Sequence, residues 1–592
     1  MSYKISFNKN KSKQIEQAVR VLASWIGEPD SNSIKTLTFL TLQNNLEEIQ
    51  KLELEKANKL KKIDDFLISS NKNEIYKKEN EIVIISVGDR GLANGIYFLY
   101  MKLKESQTQD PFSINWELFQ TPHFETRGMT LNIPLGLEGL STDTWTFPQW
   151  KDYLDRLRSF NYTSVTFVIY AAMLFIPDFE ELRKNSWRYD VYEEVFKYAA
   201  DIGLEIILLY VFNQIPPDLW VKFPEIRARV FGYQGISYCS LKRKELGEKI
   251  LKYTLNRFKT VPSNALFAFE GGGCDCDYCR NNIDDLIIKY LEFIKENAEP
   301  ERLYFVTWFA NIKENFELQP IKGLRDKLFS KIPKDIKIVD VCRKTLQMAA
   351  AQSYEIFDFI FFIDPEAGME NQSIFPRPHI NLLKERISDS IQAFGSNLKG
   401  IFGYRLTPKT RFINDYVLGR YLWNPEIGVN EVVSEVAGLL SFSVDEKEKI
   451  IEVILLLEDF WRTLDGNKLK ECKNVLKMVI KQQKNISDPL KSIHEAVKIL
   501  ELLFRSYSLD SNKQKQRNLQ KIFYLMREME TFHCYTSYKY WNSVSYEMIK
   551  QRVNWWTDSR TGLFNPKSFP ENCVSKAKYH LINDKKDALP WM

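Results

Sequence analysis

The run Ala265-Leu-Phe-Ala-Phe269 leads directly into Glu270-Gly-Gly-Gly273, and apolar residues at helical spacing follow from Ile283 to Ala298. A short apolar run that ends in glycines is typical of a buried strand. A strand followed by an amphipathic helix is the repeating unit of a parallel sheet. This order recurs along the chain from Arg127 onward. The recurrence predicts an α/β fold for the middle of the chain.

Eight candidate strands can be counted in this region. They are Gly128–Ile133, Ser164–Tyr170, Glu205–Phe212, Ala265–Phe269, Leu303–Trp308, Ile336–Val341, Phe357–Ile363 and Gly400–Tyr404. Amphipathic helices fit between them, for example at Phe147–Phe160, Tyr189–Ile202, Arg243–Phe258 and Ile283–Ala298. Eight strands are the number that closes a (β/α)8 TIM barrel. A doubly wound open sheet is the alternative, because strand order cannot be read from the sequence.

The flanking regions have different patterns. Residues 1–122 are predicted to form a small α/β domain, with strands at Ile34–Leu42 and Glu81–Val87 and a charged helical pattern at Leu46–Leu67. The barrel is assigned to residues 123–426. Residues 427–592 are predicted to form a helical C-terminal domain. Its helices are predicted at Lys447–Trp461, Lys468–Lys481, Pro489–Tyr507 and Gln516–Tyr535, and late aromatic residues include Tyr540, Trp541, Trp555 and Trp556.

Composition excludes several classes of function. Among the 592 residues, 82 are basic and 77 are acidic, and this near balance does not indicate a nucleic-acid partner. The sequence has no apolar run of 18 residues and no signal peptide at its start, so we expect a soluble chain without a membrane partner. A cytoplasmic location is expected for the chain as given, and export stays open if a signal was trimmed. A homodimer is also left open. The sequence lacks the G-x-G-x-x-G motif of dinucleotide-binding sites.

Two strand ends offer carboxylates for chemistry. Glu270 lies between an apolar strand and three glycines, where partial desolvation raises the pKa of a carboxyl and suits it to general acid catalysis. The alternative is a structural Glu that caps a loop. Strand seven continues into Asp364-Pro365-Glu366, which supplies a second acid. Because glycosidic cleavage usually needs two carboxyl groups, we predict Glu270 as acid/base and Asp364 or Glu366 as its partner.

Other strand ends fit a carbohydrate-binding cleft, although each of their polar residues could be structural. They are Asn132, Tyr170, Asn213, Trp308, Asp340, Arg343, Tyr404 and Arg405. Trp308 is a candidate platform for stacking a sugar ring, and Arg343 or Arg405 could bind a carboxylate if the substrate is a uronic acid. None of the five His residues forms a pair at ligand spacing, so no cofactor is expected for catalysis.

A cysteine cluster follows Glu270. Its spacing, Cys274-Asp-Cys276-Asp-Tyr-Cys279, offers three thiolates from one loop, and Cys239 is the best candidate for a fourth tetrahedral ligand. Such a closed zinc site with four cysteine ligands would brace the loop and take no part in catalysis. Reduced thiols or a strained disulfide are the alternatives.

Several motifs together resemble a group of glycoside hydrolases. They are Gly88–Leu103, Thr126-Arg-Gly-Met129, the segment Phe269–Cys279 and Tyr421-Leu-Trp-Asn-Pro-Glu426. The group contains the family 20 hexosaminidases, the family 67 α-glucuronidases and the family 163 endo-acting N-acetylglucosaminidases. The likeness extends over about Ile82 to Glu426, and it implies a small N-terminal α/β domain, a catalytic barrel and often a helical tail. The cysteine pattern also resembles the structural zinc site of family 42 β-galactosidases.

One residue departs from the family 20 pattern. Family 20 enzymes place Asp directly before the catalytic Glu, and this Asp orients the acetamido group of the substrate. Here the residue before Glu270 is Phe269. The resemblance therefore implies Glu270 as the acid but not substrate-assisted cleavage.

The sequence is compatible with three functions. The first is an O-glycosidase acting on a hexosaminide, uronide or related glycan. The second is a carbohydrate-binding or scaffold protein on the same barrel, and the third is a barrel enzyme of another reaction type. They stay open because the site, and not the fold, decides the function.

Overall fold

The computed structural model describes most of the chain up to Tyr507. The described residues are 3–7, 12–33, 35–51, 57, 59–70, 81–131, 145–169, 174–211, 215–226, 244–269, 277–309, 324–340, 343–360, 378–405, 412–463, 465–482, 488–507, 514, 517, 518, 521 and 525.

A closed barrel of eight parallel strands forms the centre of the molecule. Its strands are β6 (Thr126–Leu131), β7 (Ser164–Ile169), β8 (Glu205–Val211), β9 (Ser263–Phe269), β10 (Arg302–Phe309), β11 (Lys337–Asp340), β12 (Ile356–Ile360) and β13 (Leu398–Arg405). Each strand pairs with the next one in the chain, and β13 pairs with β6, Gly400 lying opposite Thr126. The predicted TIM barrel is confirmed at all eight strands, and the open-sheet alternative is wrong.

Helices between the strands form the outer layer of the barrel. They are α4 (Phe147–Ser159), α5 (Ser186–Asp201), α6 (Pro217–Lys222), α7 (Lys244–Arg257), α8 (Asp277–Asn281), α9 (Ile283–Ala298), α10 (Leu324–Lys331), α11 (Arg343–Ala351), α12 (Ile380–Phe394) and α13 (Phe412–Trp423). The four predicted barrel helices correspond to α4, α5, α7 and α9. In α9 the buried residues Ile283, Ile287, Leu291 and Ile294 recur every three or four positions, which is the stripe that packs a helix on a sheet.

A five-stranded mixed sheet precedes the barrel. Its strands are β1 (Lys4–Phe7), β2 (Thr36–Thr41), β3 (Phe66–Ser70), β4 (Glu81–Ser86) and β5 (Glu117–Gln120), in the order β1-β2-β4-β3-β5. Its helices are α1 (Lys13–Ile26), α2 (Leu42–Lys51) and α3 (Asp89–Glu105). The predicted helix at Leu46–Leu67 is wrong at its end, because Phe66 begins β3 and pairs with β4 and β5. Burial of this strand on both sides of the sheet outweighs the helical spacing of the preceding residues.

Buried charges join the mixed sheet to the barrel. Asp64, two residues before β3, accepts two hydrogen bonds of 2.8 Å from Arg90 of α3 and lies 3.5 Å from Nη2 of Arg127 in β6. Arg158 of α4 donates to the side chain of Asn94 over 2.6 Å, and Asn94 in turn donates to Asp64 over 3.0 Å. The Arg127 guanidinium also donates hydrogen bonds to backbone carbonyl groups. One of them joins Nε of Arg127 to the carbonyl oxygen of Asn161 over 2.7 Å. This network fixes α3 against the first strand of the barrel.

Helices follow the barrel. They are α14 (Val429–Leu440), α15 (Val444–Thr463), α16 (Gly466–Gln482) and α17 (Asp488–Tyr507). The last three confirm the predicted helices at Lys447–Trp461, Lys468–Lys481 and Pro489–Tyr507. Most of the fourth predicted helix, Gln516–Tyr535, and the aromatic residues at 540, 541, 555 and 556 lie outside the described residues. The domain boundaries at residues 122 and 426 stay predictions.

A further property concerns membranes. Among the helices that the structure describes, none combines the length and the apolar character needed to cross a bilayer.

Candidate functional site

The carboxyl ends of all eight barrel strands meet at one face, called here the barrel mouth. The last residues of the strands are Leu131, Ile169, Val211, Phe269, Phe309, Asp340, Ile360 and Arg405. In a parallel barrel the loops that follow the strands converge on this face, and active sites are built there. The predicted site residues are therefore expected at the barrel mouth.

Ion pairs occupy the opposite, amino-terminal end of the barrel. Arg302, the first residue of β10, donates to Glu205 of β8 over 3.3 Å, and Ser263 of β9 hydrogen-bonds to the same carboxylate. Lys337 of β11 forms an ion pair with Glu355, directly before β12. These polar groups pair with one another across adjacent strands or across one intervening strand.

Aromatic rings fill the middle of the barrel. Tyr304 of β10 contacts Phe357 of β12 and Phe402 of β13, with ring centroids 5.4 and 6.0 Å apart. The ring of Phe402 also covers Gly128 of β6, where any added Cβ would overlap it. Glycine is therefore required at position 128. The interior is a packed core at this level.

Phe359 and Tyr404 lie one layer closer to the barrel mouth. Phe359 follows Phe357 by two residues, and Tyr404 follows Phe402 by two residues. Side chains two positions apart in a strand lie on the same face of the sheet, so both rings point into the barrel. Their ring centroids are 5.8 Å apart in an edge-to-face arrangement. Only 6% of Phe359 and 5% of Tyr404 is exposed. Tyr404, a predicted substrate-binding residue, therefore belongs to an aromatic floor beneath the barrel mouth.

Asp340 and Arg343, two further strand-end candidates, face the helical layer. Asp340 pairs in register with Asp358, which hydrogen-bonds to Ser390 of α12, so both carboxylates lie on the outer surface of the sheet. Asp340 accepts a hydrogen bond of 2.5 Å from the Thr307 hydroxyl. The guanidinium of Arg343 donates to Asp389 of α12 over 2.9 Å. The structure thus gives Asp340 and Arg343 contacts outside the barrel interior.

Burial affects Asp358 strongly. Desolvation raises the pKa of its carboxyl above the ordinary value, while the nearby charge of Arg386, at 3.4 Å, works in the opposite direction. The Ser390 hydroxyl also stabilises the charged form. The group joins β12 to α12, and it is a structural carboxylate of strand seven.

An irregularity in β10 was not predicted. Val306 lies opposite Phe267 of β9 and Phe309 lies opposite Phe269, so three steps along β10 match two along β9. This register shift has the character of a β-bulge, a feature that re-aims side chains and is common next to active sites. Trp308, the predicted stacking platform, lies within it. Only its backbone, and that of Arg405 at the end of β13, is described.

The remaining predicted residues fall outside the described part of the chain. These are the catalytic candidates Glu270, Asp364 and Glu366, the cleft candidates Asn132, Tyr170 and Asn213, and Cys239, Cys274 and Cys276. Cys279 lies in α8, directly after this gap. Within the described ranges, no group of three or more His, Cys, Asp or Glu side chains is arranged to hold a metal ion.

The positions of the flanking strands are nevertheless known. β9 ends at Phe269, directly before Glu270, and β12 ends at Ile360, four residues before Asp364. Around the closed barrel, two strands separate β9 from β12 on one side and four on the other. The segments that carry the predicted acids therefore leave the barrel from well-separated points of its rim.

Comparison with known proteins gives matches in structure only. No protein-family model matches the sequence, and no curated protein matches it. A GH138 enzyme targeting pectin rhamnogalacturonan II has a TM-score of 0.56 at 11% identity, with 90% of this chain and 91% of that chain covered.

Two further structures are similar in fold. An exo β-N-acetylglucosaminidase of family GH20 from Vibrio harveyi has a TM-score of 0.51 at 11% identity, covering 76% of this chain and 74% of that chain. A β-hexosaminidase from Streptomyces plicatus has a TM-score of 0.50 at 8% identity, covering 76% and 91%. The chain therefore shares its barrel fold with glycoside hydrolases, in agreement with the resemblance seen in the sequence.

Proposed function

We propose that the chain is a glycoside hydrolase that cleaves O-glycosidic bonds, with Glu270 as general acid/base. The observation that carries the proposal is the position of β9, a buried strand of a closed parallel barrel that ends one residue before Glu270 at the barrel mouth. The fold shared with enzymes of families GH138 and GH20 supports it.

The second carboxyl group of the proposal is Asp364 or Glu366. Both follow β12, which is separated from β9 by at least two strands around the barrel. A glycosidase needs its two carboxyl groups on opposite sides of the scissile bond, about 5–5.5 Å apart for retention and about 6.5–9.5 Å apart for inversion. Strands next to each other, about 4.8 Å apart, would leave less room for a sugar ring between them.

The substrate class proposed is a hexosaminide, a uronide or a related glycan. The aromatic floor of Phe359 and Tyr404 offers an apolar surface below the site. Trp308 in the irregular part of β10 is the proposed stacking residue, and Arg405 at the end of β13 is the proposed partner for a uronic acid carboxylate. Asn132 and Asn213, which follow β6 and β8, are proposed to bind sugar hydroxyl groups.

Hydrolysis of a panel of aryl glycosides tests the function. We expect the full-length chain to hydrolyse at least one hexosaminide or uronide. Asp364→Asn or Glu366→Gln is expected to lower kcat at least about tenfold, because the partner acts in the transition state. The other variant then serves as its control. Binding of a glycan without hydrolysis of any glycoside would favour the carbohydrate-binding alternative.

A structural zinc site is proposed beside Glu270. Cys239, Cys274, Cys276 and Cys279 would supply four thiolates, a donor set that closes a tetrahedral zinc site without an open position. Cys279 lies in the first turn of the short helix α8. We expect one zinc per chain by elemental analysis and its loss in Cys276→Ser, whereas Cys472→Ser, which changes a cysteine buried in α16, should keep the metal. A metal-free wild-type chain would contradict the proposal.

A further inference from the structure

A groove lies between the start of α12 and the helices α15 and α16. Its volume is about 1100 Å³. Leu382, Ile451, Leu455 and Trp461 form an apolar floor, and 43% of Leu455 is exposed. α12 begins on the side of the barrel mouth, because it returns from the loop that follows β12. The groove therefore borders the barrel mouth from the side of the C-terminal helices.

Acidic side chains line this groove. Glu385, Glu448, Glu452 and Glu471 have no hydrogen-bond or ion-pair partner among the described residues. Such unpaired carboxylates around an apolar floor fit an occupant that combines basic with aromatic or aliphatic side chains.

Two other acids of the groove are already engaged. Glu458 accepts hydrogen bonds from the backbone N–H groups of Ile380 and Asn381, at 2.9 and 3.1 Å, and so caps the first turn of α12. Asp459 forms ion pairs with Arg462 and Lys468 over 2.5 and 2.6 Å. Glu471 also interacts electrostatically with Lys468, so the excess negative charge comes mainly from Glu385, Glu448 and Glu452.

The helix α17 ends close to the groove. α17 runs antiparallel to α16, since Lys473 in α16 pairs with Glu501 in α17. Tyr507 therefore lies near the start of α16, where Glu471 lines the groove. Leu525 packs against the main core, so the chain beyond it starts from the body of the protein.

Residues 539–560 have the matching composition. Four basic residues, Lys539, Lys550, Arg552 and Arg560, outnumber the two acids of this stretch. Five aromatic residues accompany them: Tyr540, Trp541, Tyr546, Trp555 and Trp556. The 14 residues from 525 to 539 can span up to about 45–50 Å, more than the roughly 30 Å length of α15.

We propose that residues 539–560 bind in this groove within the same chain. Aromatic side chains cover Leu455 and Trp461, and Lys550 and Arg552 pair with the glutamates of α15. This segment is the proposed occupant because it combines basic with aromatic side chains. In addition, α17, which precedes it in the chain, ends close to the groove. The proposal does not depend on the glycosidase activity.

Photo-crosslinking in the full-length chain tests the inference. With p-benzoylphenylalanine in place of Leu455, we expect crosslinks to residues 539–560 of the same chain. Glu448→Lys with Glu452→Lys is expected to lower their yield about tenfold, because like charges then face each other. Adding Lys550→Glu and Arg552→Glu should restore the yield. Glu296→Lys, on the exposed surface of α9, is the matched control and should leave it unchanged.

Three results would overturn the inference. They are crosslinks that map elsewhere in the chain, crosslinks to a second copy of the chain, and a yield that the charge reversal does not change. Circular dichroism of every variant shows whether the fold is retained. The combined charge swap keeps the test decisive, because a variant that simply misfolds would not be rescued by changes in residues 550 and 552.

Discussion

Glu270→Gln is expected to lower kcat/KM by about 10²–10⁴-fold on glycosides with poor leaving groups, because general acid catalysis contributes that much and an amide cannot protonate the departing oxygen. On a dinitrophenyl glycoside the loss should be much smaller, since that leaving group departs without a proton. Initial rates on a series of aryl glycosides measure both effects. Activity should thus depend far more steeply on the leaving group in the variant than in the wild type.

The matched control for this experiment is Glu301→Gln. Glu301 is an exposed glutamate directly before β10, at the amino-terminal end of the barrel. It should leave all rates unchanged. An equal loss on every substrate in Glu270→Gln would assign Glu270 a different role, and full activity would remove it from the mechanism.

Glu435→Ala is expected to destabilise the protein by about 3–5 kcal/mol, because it leaves the buried guanidinium of Arg420 without its counter-charge. Glu435 of α14 is 1% exposed and accepts hydrogen bonds of 2.6 and 3.0 Å from Arg420 of α13. Tyr416 donates to the same carboxylate over 2.9 Å, and Lys102 of α3 over 3.0 Å. One carboxylate therefore joins the mixed sheet, the barrel and the C-terminal helices. Urea unfolding followed by tryptophan fluorescence measures the loss.

Glu431→Ala is the matched control for Glu435→Ala. Glu431 lies one turn earlier on the same helix and pairs with the same Lys102 at 3.4 Å, but 51% of it is exposed. Its removal should cost no more than about 0.5 kcal/mol. Similar losses in the two variants would contradict the importance of burial.

The effect of Glu435 should also depend on pH. Burial by itself would raise the pKa of this carboxyl, but the charge and hydrogen bonds of Arg420 lower the pKa below its ordinary value. A carboxyl with a lowered pKa stabilises the fold above its unfolded pKa of about 4.3, and this contribution is lost as the pH falls through the folded pKa. The difference in stability between wild type and Glu435→Ala should therefore be constant near neutral pH and shrink below about pH 4.

The barrel could be predicted because its strands are buried on both faces. Runs such as Ile206-Ile-Leu-Leu209 are continuously apolar, which is typical of the buried strands of a parallel sheet. β3 escaped prediction because Phe66 and Leu67 also continue the helical spacing of the residues before them. Pairing with β4 and β5, which are distant in sequence from its start, decides its structure.

The site was less predictable than the fold. Sequence reasoning locates the ends of strands, but it does not tell which face of the sheet a terminal side chain takes. Asp340 and Tyr404 both stand at strand ends, yet one faces the helices and the other the interior. The register between strands makes the assignment possible. Asp358 contacts α12 and so faces the helices, and residues at alternate positions of its strand, together with their register partners, share that face. The shift between Val306 and Phe309 has no signal in the sequence.

The rings of Tyr304, Phe357 and Phe402 determine from which side a ligand can enter and leave the barrel. They fill the barrel below its mouth, and the ion pairs of Glu205 and Lys337 lie beneath them. Among the residues that the structure describes, these rings and ion pairs leave no passage for a ligand along the barrel axis from the mouth to the other end. A ligand bound at the mouth therefore leaves on the same side of the barrel as it entered, so product release and substrate entry compete for that side.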